Sequence, residues 1–439
     1  MIRGDNDMND MKKFFISVGL IAAGTASLQA AYAPDWNSKS ASMWSVSGTL
    51  RGFYDDNYET APNGAKQGSF GFEFSPELEF NMPLQQTELG MRYIYGLYYY
   101  QQREKLGENP IDQTQQFDLW VDHAFTDRWQ ARVQDSFIMG QEPELIDPNT
   151  SVTRRVNGNN ISNTGTLILN TAWTRLFSTA LNYQNSFFDY QNSGATTANL
   201  ATQGASLAGL LNRIEQLVSL DFQWHVAPET VAFFGGQLGV VNYIGDEPIA
   251  LNTVGPQPFY YSDARDSRSY YGYVGIQRSM LANLSFTGKI GAQYTDNYND
   301  NTTSLNPYAD LSLIYTYLPG SYAQIGFTQT QNATDQVTPD SNGHITLSTE
   351  SSTVYASINH KLTSKLLGTV IGRWQHSIYN QGLYNNQALD YYSLGVNLSY
   401  SFNQHFSVDA GYNLDDVVSK VPGNSYTRNR IYLGVTAAY

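Results

Sequence analysis

The stretch FGFEFSPELEFNM, Phe70 to Met82, sets Phe70, Phe72, Phe74, Leu78, Phe80 and Met82 on one parity and Glu73, Glu77 and Glu79 on the other. A period of two held over this length describes a strand long enough to cross a bilayer at a tilt. One face is too apolar for water and the other too charged for hydrocarbon. A strand with both faces belongs in a wall between lipid and an aqueous lumen, and a closed barrel of such strands satisfies every backbone group inside a membrane.

The alternation recurs along the chain. Leu89, Met91, Tyr93, Tyr95 and Leu97 alternate with Glu88 and Arg92, and Val218, Leu220, Phe222 and Trp224 alternate with Ser219, Asp221 and Gln223. Segments of this kind centre near positions 47, 76, 94, 121, 133, 169, 182, 222, 237, 273, 289, 312, 325, 357, 370, 397, 410 and 434. The expected fold is all-β: a transmembrane, antiparallel up-and-down barrel of about 18 strands, or 16 if the less regular segments near 237, 273, 325 and 370 are not all strands. Short turns at 83–86, 126–128, 227–230, 319–320, 363–365 and 403–405 alternate with longer polar loops of very roughly ten to twenty-five residues. That layout places short turns on the periplasmic side and long loops, among them 56–68, 101–115, 139–163 and 330–351, outside the cell.

Composition agrees. The 439 residues hold 32 Tyr, 21 Phe and no Cys, with a mean hydropathy of -0.38, as expected where half of each strand faces water. Outside the N-terminus no apolar run is long enough for a membrane helix. From Met11, MKKFFISVGLIAAGTASLQAAYA runs from Lys12 and Lys13 through an apolar stretch to small residues at Ala30 and Ala33, the order of a secretory signal. The expected division is 1–30 as upstream residues and cleaved signal, 31–42 as a periplasmic lead and 43–439 as an outer-membrane barrel. Arg3, Lys12 and Lys13 balance Asp5, Asp7 and Asp10, so removal of 1–30 leaves the formal charge at -14. An acidic exported chain is unsuited to nucleic acid.

The last stretch, RIYLGVTAAY from Arg430 to Tyr439, keeps its alternation to the final residue. A strand of this kind needs a partner on both edges, and pairing with the first strand supplies it. From Leu50, the run LRGFYDDNYE and the segments as far as ARVQDSFIMGQEPEL, with Tyr54, Asp55, Asp56 and Asn57 the carrying residues, resemble the opening of the type 2 beta-barrel porin family of bacterial outer-membrane proteins. The resemblance implies an outer-membrane barrel with porin-like activity. It also implies that Tyr432, Gly434, Ala437 and Tyr439 serve as the terminal signal read by the barrel assembly machinery.

Tyr-Asp-rich tips recur at YTDNYNDN from Tyr294 and GYNLDDV from Gly411. They read either as an aromatic girdle followed by a solvated loop or as carboxylates holding divalent cations against lipopolysaccharide phosphates. The six His lack metal-ligand spacing, and His123 and His360, on the outward parity, lack a serine partner for a lipase. Neither catalysis, a resident metal nor a cofactor is expected. SLAGLLNRIEQL repeats Leu207, Leu210, Leu211, Ile214 and Leu217 at helical spacing in a loop, either folded into the lumen or packed on neighbouring loops. Arg154, Arg155 and Arg213 are assigned to loops.

Inward parity assigns Arg51, Glu73, Glu77, Glu79, Arg92, Asp118, Asp122, Arg132, Asp409 and Arg430 to the pore lining, with opposite signs on adjacent strands, a pattern that Asp409 and Arg430 repeat across the last two strands, which close onto the first. Asp135 falls on the lipid-facing parity, which predicts a bulge or register slip nearby. The expected activity is passive diffusion of small hydrophilic solutes through a wide polar lumen. Outer-membrane lipid, lipopolysaccharide and the assembly machinery are the expected partners. An exopolysaccharide exporter, for which inward Trp120 and Tyr98 do not form a stacking rail, a loop-plugged structural or adhesive barrel, and an outer-membrane hydrolase are the alternatives.

Overall fold

The computed structural model describes residues 43–140, 160–191 and 193–439. Its strands are β1 (Trp44–Asp55), β2 (Ser69–Pro83), β3 (Thr87–Tyr100), β4 (Ile111–Thr126), β5 (Trp129–Gly140), β6 (Asn160–Ala172), β7 (Phe177–Tyr190), β8 (Arg213–Ala227), β9 (Thr230–Tyr243), β10 (Pro248–Leu251), β11 (Phe259–Tyr261), β12 (Ser267–Leu281), β13 (Leu284–Asn297), β14 (Thr302–Leu318), β15 (Ser321–Asn332), β16 (Ser348–Lys361), β17 (Leu366–Asn380), β18 (Ala388–Ser401), β19 (Phe406–Ser419) and β20 (Tyr426–Ala438). β10 and β11 pair only with each other, and the other 18 form one antiparallel sheet. β20 pairs with β1 from Ser47↔Ala438 to Asp55↔Arg430, which closes the sheet into a barrel. Each of the eighteen segments expected from alternation falls within one barrel strand. The N-terminal signal and lead, 1–42, lie outside the described residues, as do Arg154 and Arg155.

Parity sorts the wall. Leu50, Phe72, Phe74, Val133, Leu220, Val274, Leu398 and Leu433 project from the outer surface, while the residues between them face inward. Large inward rings meet glycine across the ladder: Phe53↔Gly71, Trp120↔Gly90, Tyr273↔Gly235, Phe233↔Gly275, Tyr355↔Gly326 and Tyr432↔Gly411 are registered pairs. A Cβ on Gly90 would lie 2.0 Å from the Trp120 ring, and one on Gly411 would lie 2.3 Å from Tyr432. The rings therefore lie along the wall in spaces that only glycine leaves open. Trp120, inward as expected, is one of these wall rings.

Several expectations need correction. The connection 298–301, on the long-loop end, has only four residues, because β13 and β14 pair as far as Asn297↔Thr302. The loops at 101–115 and 330–351 are shorter than expected, since β4 begins at Ile111 and β15 and β16 extend to Asn332 and from Ser348. Register shifts between β4 and β5 occur only at Ala124/Thr126, so Asp135 faces outward without a bulge. Arg213 is no loop residue: it opens β8 opposite Tyr243 and is fully buried. The helical repeat breaks after Leu211 because Asn212 is extended and Ile214 and Leu217 enter the β8 ladder.

Candidate functional site

The inner wall of β19, β20 and β1 to β5 carries the charges expected from parity. Arg51 joins three strands, donating from Nε to Asp409 Oδ2 at 2.9 Å and from Nη1 to Glu73 Oε1 at 3.3 Å. Gly434 lies beneath it, where a Cβ would come within 2.4 Å of Arg51 Cγ. Arg92 donates twice to Asp118 Oδ2, at 2.7 and 3.0 Å, and Ser136 adds a bond of 2.7 Å to the other oxygen. Arg132 grips Asp122 at 2.5 and 3.1 Å. Glu79 faces Arg92 in register, yet among the described residues neither Glu77 nor Glu79 makes a hydrogen bond or salt bridge.

Asp409 and Arg430 lie on adjacent strands but do not pair with each other. Asp409 faces Gly434 in register and binds Arg51, whereas Arg430 lies 3.4 Å from Asp55 and donates to the Tyr100 hydroxyl at 3.1 Å. The carboxylates of the Tyr54–Asn57 motif are engaged in closing the barrel. Asp55, fully buried, accepts from Arg428 Nε at 2.8 Å and from the Asn57 amide at 3.0 Å. Asp56 accepts from the Asn429 amide and side chain at 2.6 and 2.7 Å, and the Asn57 amide group reaches Thr427 O at 3.2 Å. Three successive residues after Tyr54 thus clasp β20 at the long-loop end of the seam. Beside them, α1 (Gln101–Leu106) buries Arg103 against Asp112 at 2.7 Å and Glu59 at 3.0 Å, with Tyr58 and Tyr100 stacked at 5.3 Å.

The opposite arc holds a second charged group that sequence reading missed. Lys289 lies 3.8 Å from Asp310, over the Tyr273 and Tyr308 rings at 5.2 and 5.4 Å, and Tyr273 donates to Asp221 at 2.7 Å. These residues line an internal cavity whose remaining wall is rich in Gln, Asn, Ser and Thr. Alternation alone placed Asp221 inward; only the register of β8, β9, β12, β13 and β14 brings it near Lys289.

At the long-loop end the cavity reaches a packed loop cluster. α2 (Leu200–Gln203) precedes α3 (Leu207–Leu211), whose Leu210 and Leu211 bury against Ile249 and Ala250 of β10 and against Ile345 and Leu347. The helix therefore packs on neighbouring loops, and Arg265 and Leu347 form the underside facing the cavity. Arg265 ties three loops together by donating to Thr334 O at 2.8 Å and to Leu210 O. Burial pushes its pKa down from the ordinary arginine value.

At the short-turn end Tyr439 is 94% exposed, while its backbone exchanges hydrogen bonds of 2.8 and 3.0 Å with Val46. Tyr432 turns inward over Gly411 and under Arg51. His123 and His360 bond through Nδ1 to Thr87 and Tyr317, each at 2.8 Å. Among the described residues no group of three or more His, Asp or Glu is arranged to hold a metal ion.

No curated protein matches the chain. Among solved structures, a BenF-like porin from Pseudomonas fluorescens Pf-5 is 10% identical, with 90% of this chain and 99% of that chain covered and a TM-score of 0.45. OccK2 (OpdF) of Pseudomonas aeruginosa, solved in complex with glucuronate, is 8% identical over 90% and 98% of the two chains, with a TM-score of 0.45. OccAB4 of Acinetobacter baumannii is 12% identical over 92% and 100%, with a TM-score of 0.42. Residues 42–439 match the family model described as "Putative beta-barrel porin 2", and the chain belongs to that family of outer-membrane barrel porins.

Proposed function

We propose that this porin passes small hydrophilic solutes by passive diffusion. The observation that carries the reading is the inner wall itself: charged and amide side chains surround an internal cavity, while the outer face is largely apolar. Transport of this kind needs no catalytic residue. Arg51, Glu73, Glu77, Glu79, Arg92, Asp118, Asp122, Arg132, Asp409 and Arg430 line the path or fix its wall. Six of them are acidic and four basic, which supports a weak preference for cations.

In the same reading, residues 1–30 are removed on export, and the assembly machinery recognises Tyr432, Gly434, Ala437 and Tyr439. Outer-membrane lipid and lipopolysaccharide surround the apolar belt. The packed loop cluster supports a second reading, a barrel plugged by its own loops, and single-channel recording in planar bilayers separates the two. Discrete open steps in salt solution are expected of the diffusion channel. Silence from folded protein, with steps appearing only after the α3 loop is shortened, would replace it with the plugged barrel.

A further inference from the structure

Asp135, outward-facing without a bulge, does not stand alone. The ladders run Asp135↔Gly165, Gly165↔Asn185, Asn185↔Gln216 and Gln216↔Val240, so one outward row across β5 to β8 carries a carboxylate and two amides. Asn163, two residues from Gly165 on the same outward parity, donates to Asp135 at 3.0 Å and to Ser136 O at 3.4 Å. The row is not at the rim. Val133, Leu167, Tyr183 and Val218 form the outward row below it, and Phe137, Phe187 and Ile214 stand above it. Asp135, Asn185 and Gln216 are therefore set between an apolar row and a row whose one polar member is Asn163, on the lipid-facing surface, where polar groups without partners are costly.

A second outward polar belt offers a comparison. Gln329 binds both Glu350 and Ser352, and Asp390 accepts from Trp374 at 3.1 Å and bonds His376 at 2.8 Å. That belt satisfies itself. Among the described residues, Asn185 and Gln216 have no side-chain hydrogen bond.

We infer that the outward face of β5 to β8 is an interface with a second copy of this chain inside the membrane. The negative charge of Asp135 at its β5 edge does not suit an anionic lipid headgroup. Each amide presents both donors and an acceptor, so the surface is complementary to itself, which suits a copy of the same chain. Side-chain amides bonding across packed membrane segments act as polar glue where no hydrophobic force separates protein from lipid.

The test uses the whole protein inserted in the outer membrane. A photoreactive benzophenone side chain in place of Asn185 is expected to give products at a multiple of the single-chain mass, and the same group in place of Ile358, outward on β16, is not. Native mass spectrometry in lipid nanodiscs is expected to show two or more chains per particle. The variant Asp135→Val with Asn163→Val, Asn185→Val and Gln216→Val is expected to give one chain per particle with heat-modifiable gel mobility retained. Single-chain particles for the unaltered protein, photoproducts containing a different polypeptide, or a folded four-site variant that keeps the original mass would each overturn the proposal. None of these readouts depends on conductance.

Discussion

Asparagine at Asp55 removes one charge from the seam and leaves its shape. The seam holds Asp55 and Asp415 against Arg428 and Arg430, two charges of each sign. Arg428 approaches Asp55 to 2.5 Å with both side chains almost inaccessible, at 3% and 0% exposure. Asp415 accepts from Tyr391 at 2.6 Å. Asp55→Asn leaves two buried guanidinium groups facing a single carboxylate, and breaking a buried pair in this way costs about 3–5 kcal/mol. By contrast Asp56→Asn touches a partly exposed site: it removes a 3.8 Å salt bridge to Lys66, worth about 0–1 kcal/mol, and one of the two hydrogen bonds accepted from Asn429, so a smaller loss is expected. Adding Arg428→Gln to Asp55→Asn restores one charge of each sign and is expected to recover part of the loss. Urea unfolding in detergent micelles, followed by tryptophan fluorescence, measures all three. A stability for Asp55→Asn within about 1 kcal/mol of the unaltered protein would refute the claim that the motif clasps the barrel.

Deleting Tyr439, or Tyr439→Asp, is expected to leave protein in the periplasm, read by cell fractionation; normal insertion would end its role in assembly. In a salt gradient, Glu77→Gln with Glu79→Gln is expected to move the reversal potential toward anions more than Glu73→Gln, because Glu73 is held by Arg51; the opposite order would count against this account of the wall. Gly411→Val places a Cβ where the Tyr432 ring lies, an overpacking cost of about 1–3 kcal/mol, and an unchanged urea midpoint would show that the ring moves freely. Single cysteines at positions 65 and 342, both exposed at the long-loop end, are expected to react with impermeant thiol reagents on intact cells, and labelling only after membrane rupture would invert the orientation.

Alternation was enough to read every barrel strand because each one separates two solvents, and that demand acts residue by residue. It also placed Arg51, Glu73, Arg92 and Asp118 on one face. Pairing was another matter. Arg51 meets Asp409 across 358 positions, and Asp55 meets Arg428 across 373; both contacts depend on which strand closes the barrel and in what register. The sequence made Asp409 and Arg430 look like partners because they lie on adjacent strands with opposite signs. In the structure β1 lies beside β20 and supplies a closer partner to each. Asp55 and Asp56 resembled a solvated loop or a cation site for a similar reason: their arginine and asparagine partners are at the far end of the chain. In SLAGLLNRIEQL, Ile214 and Leu217 kept helical spacing only as accidents of residues that the β8 ladder claims.

The same closure bears on what the wall can select. Arg51, Arg92 and Arg132 each hold a carboxylate on a neighbouring strand, so their fields largely cancel a few ångströms into the lumen. Rings that could have narrowed the passage are laid along the wall over glycine, Trp120 on Gly90 and Tyr355 on Gly326. Glu77 and Glu79, without a salt bridge, are left as the acidic side chains with most influence on a passing ion, and the Gln and Asn side chains around Lys289 offer hydrogen bonds of either sense to a neutral one. In the proposed diffusion channel a wall built this way would sort solutes by size and hydration first and by charge second, which is why the reversal potential should respond to Glu77 and Glu79 and hardly to the paired carboxylates.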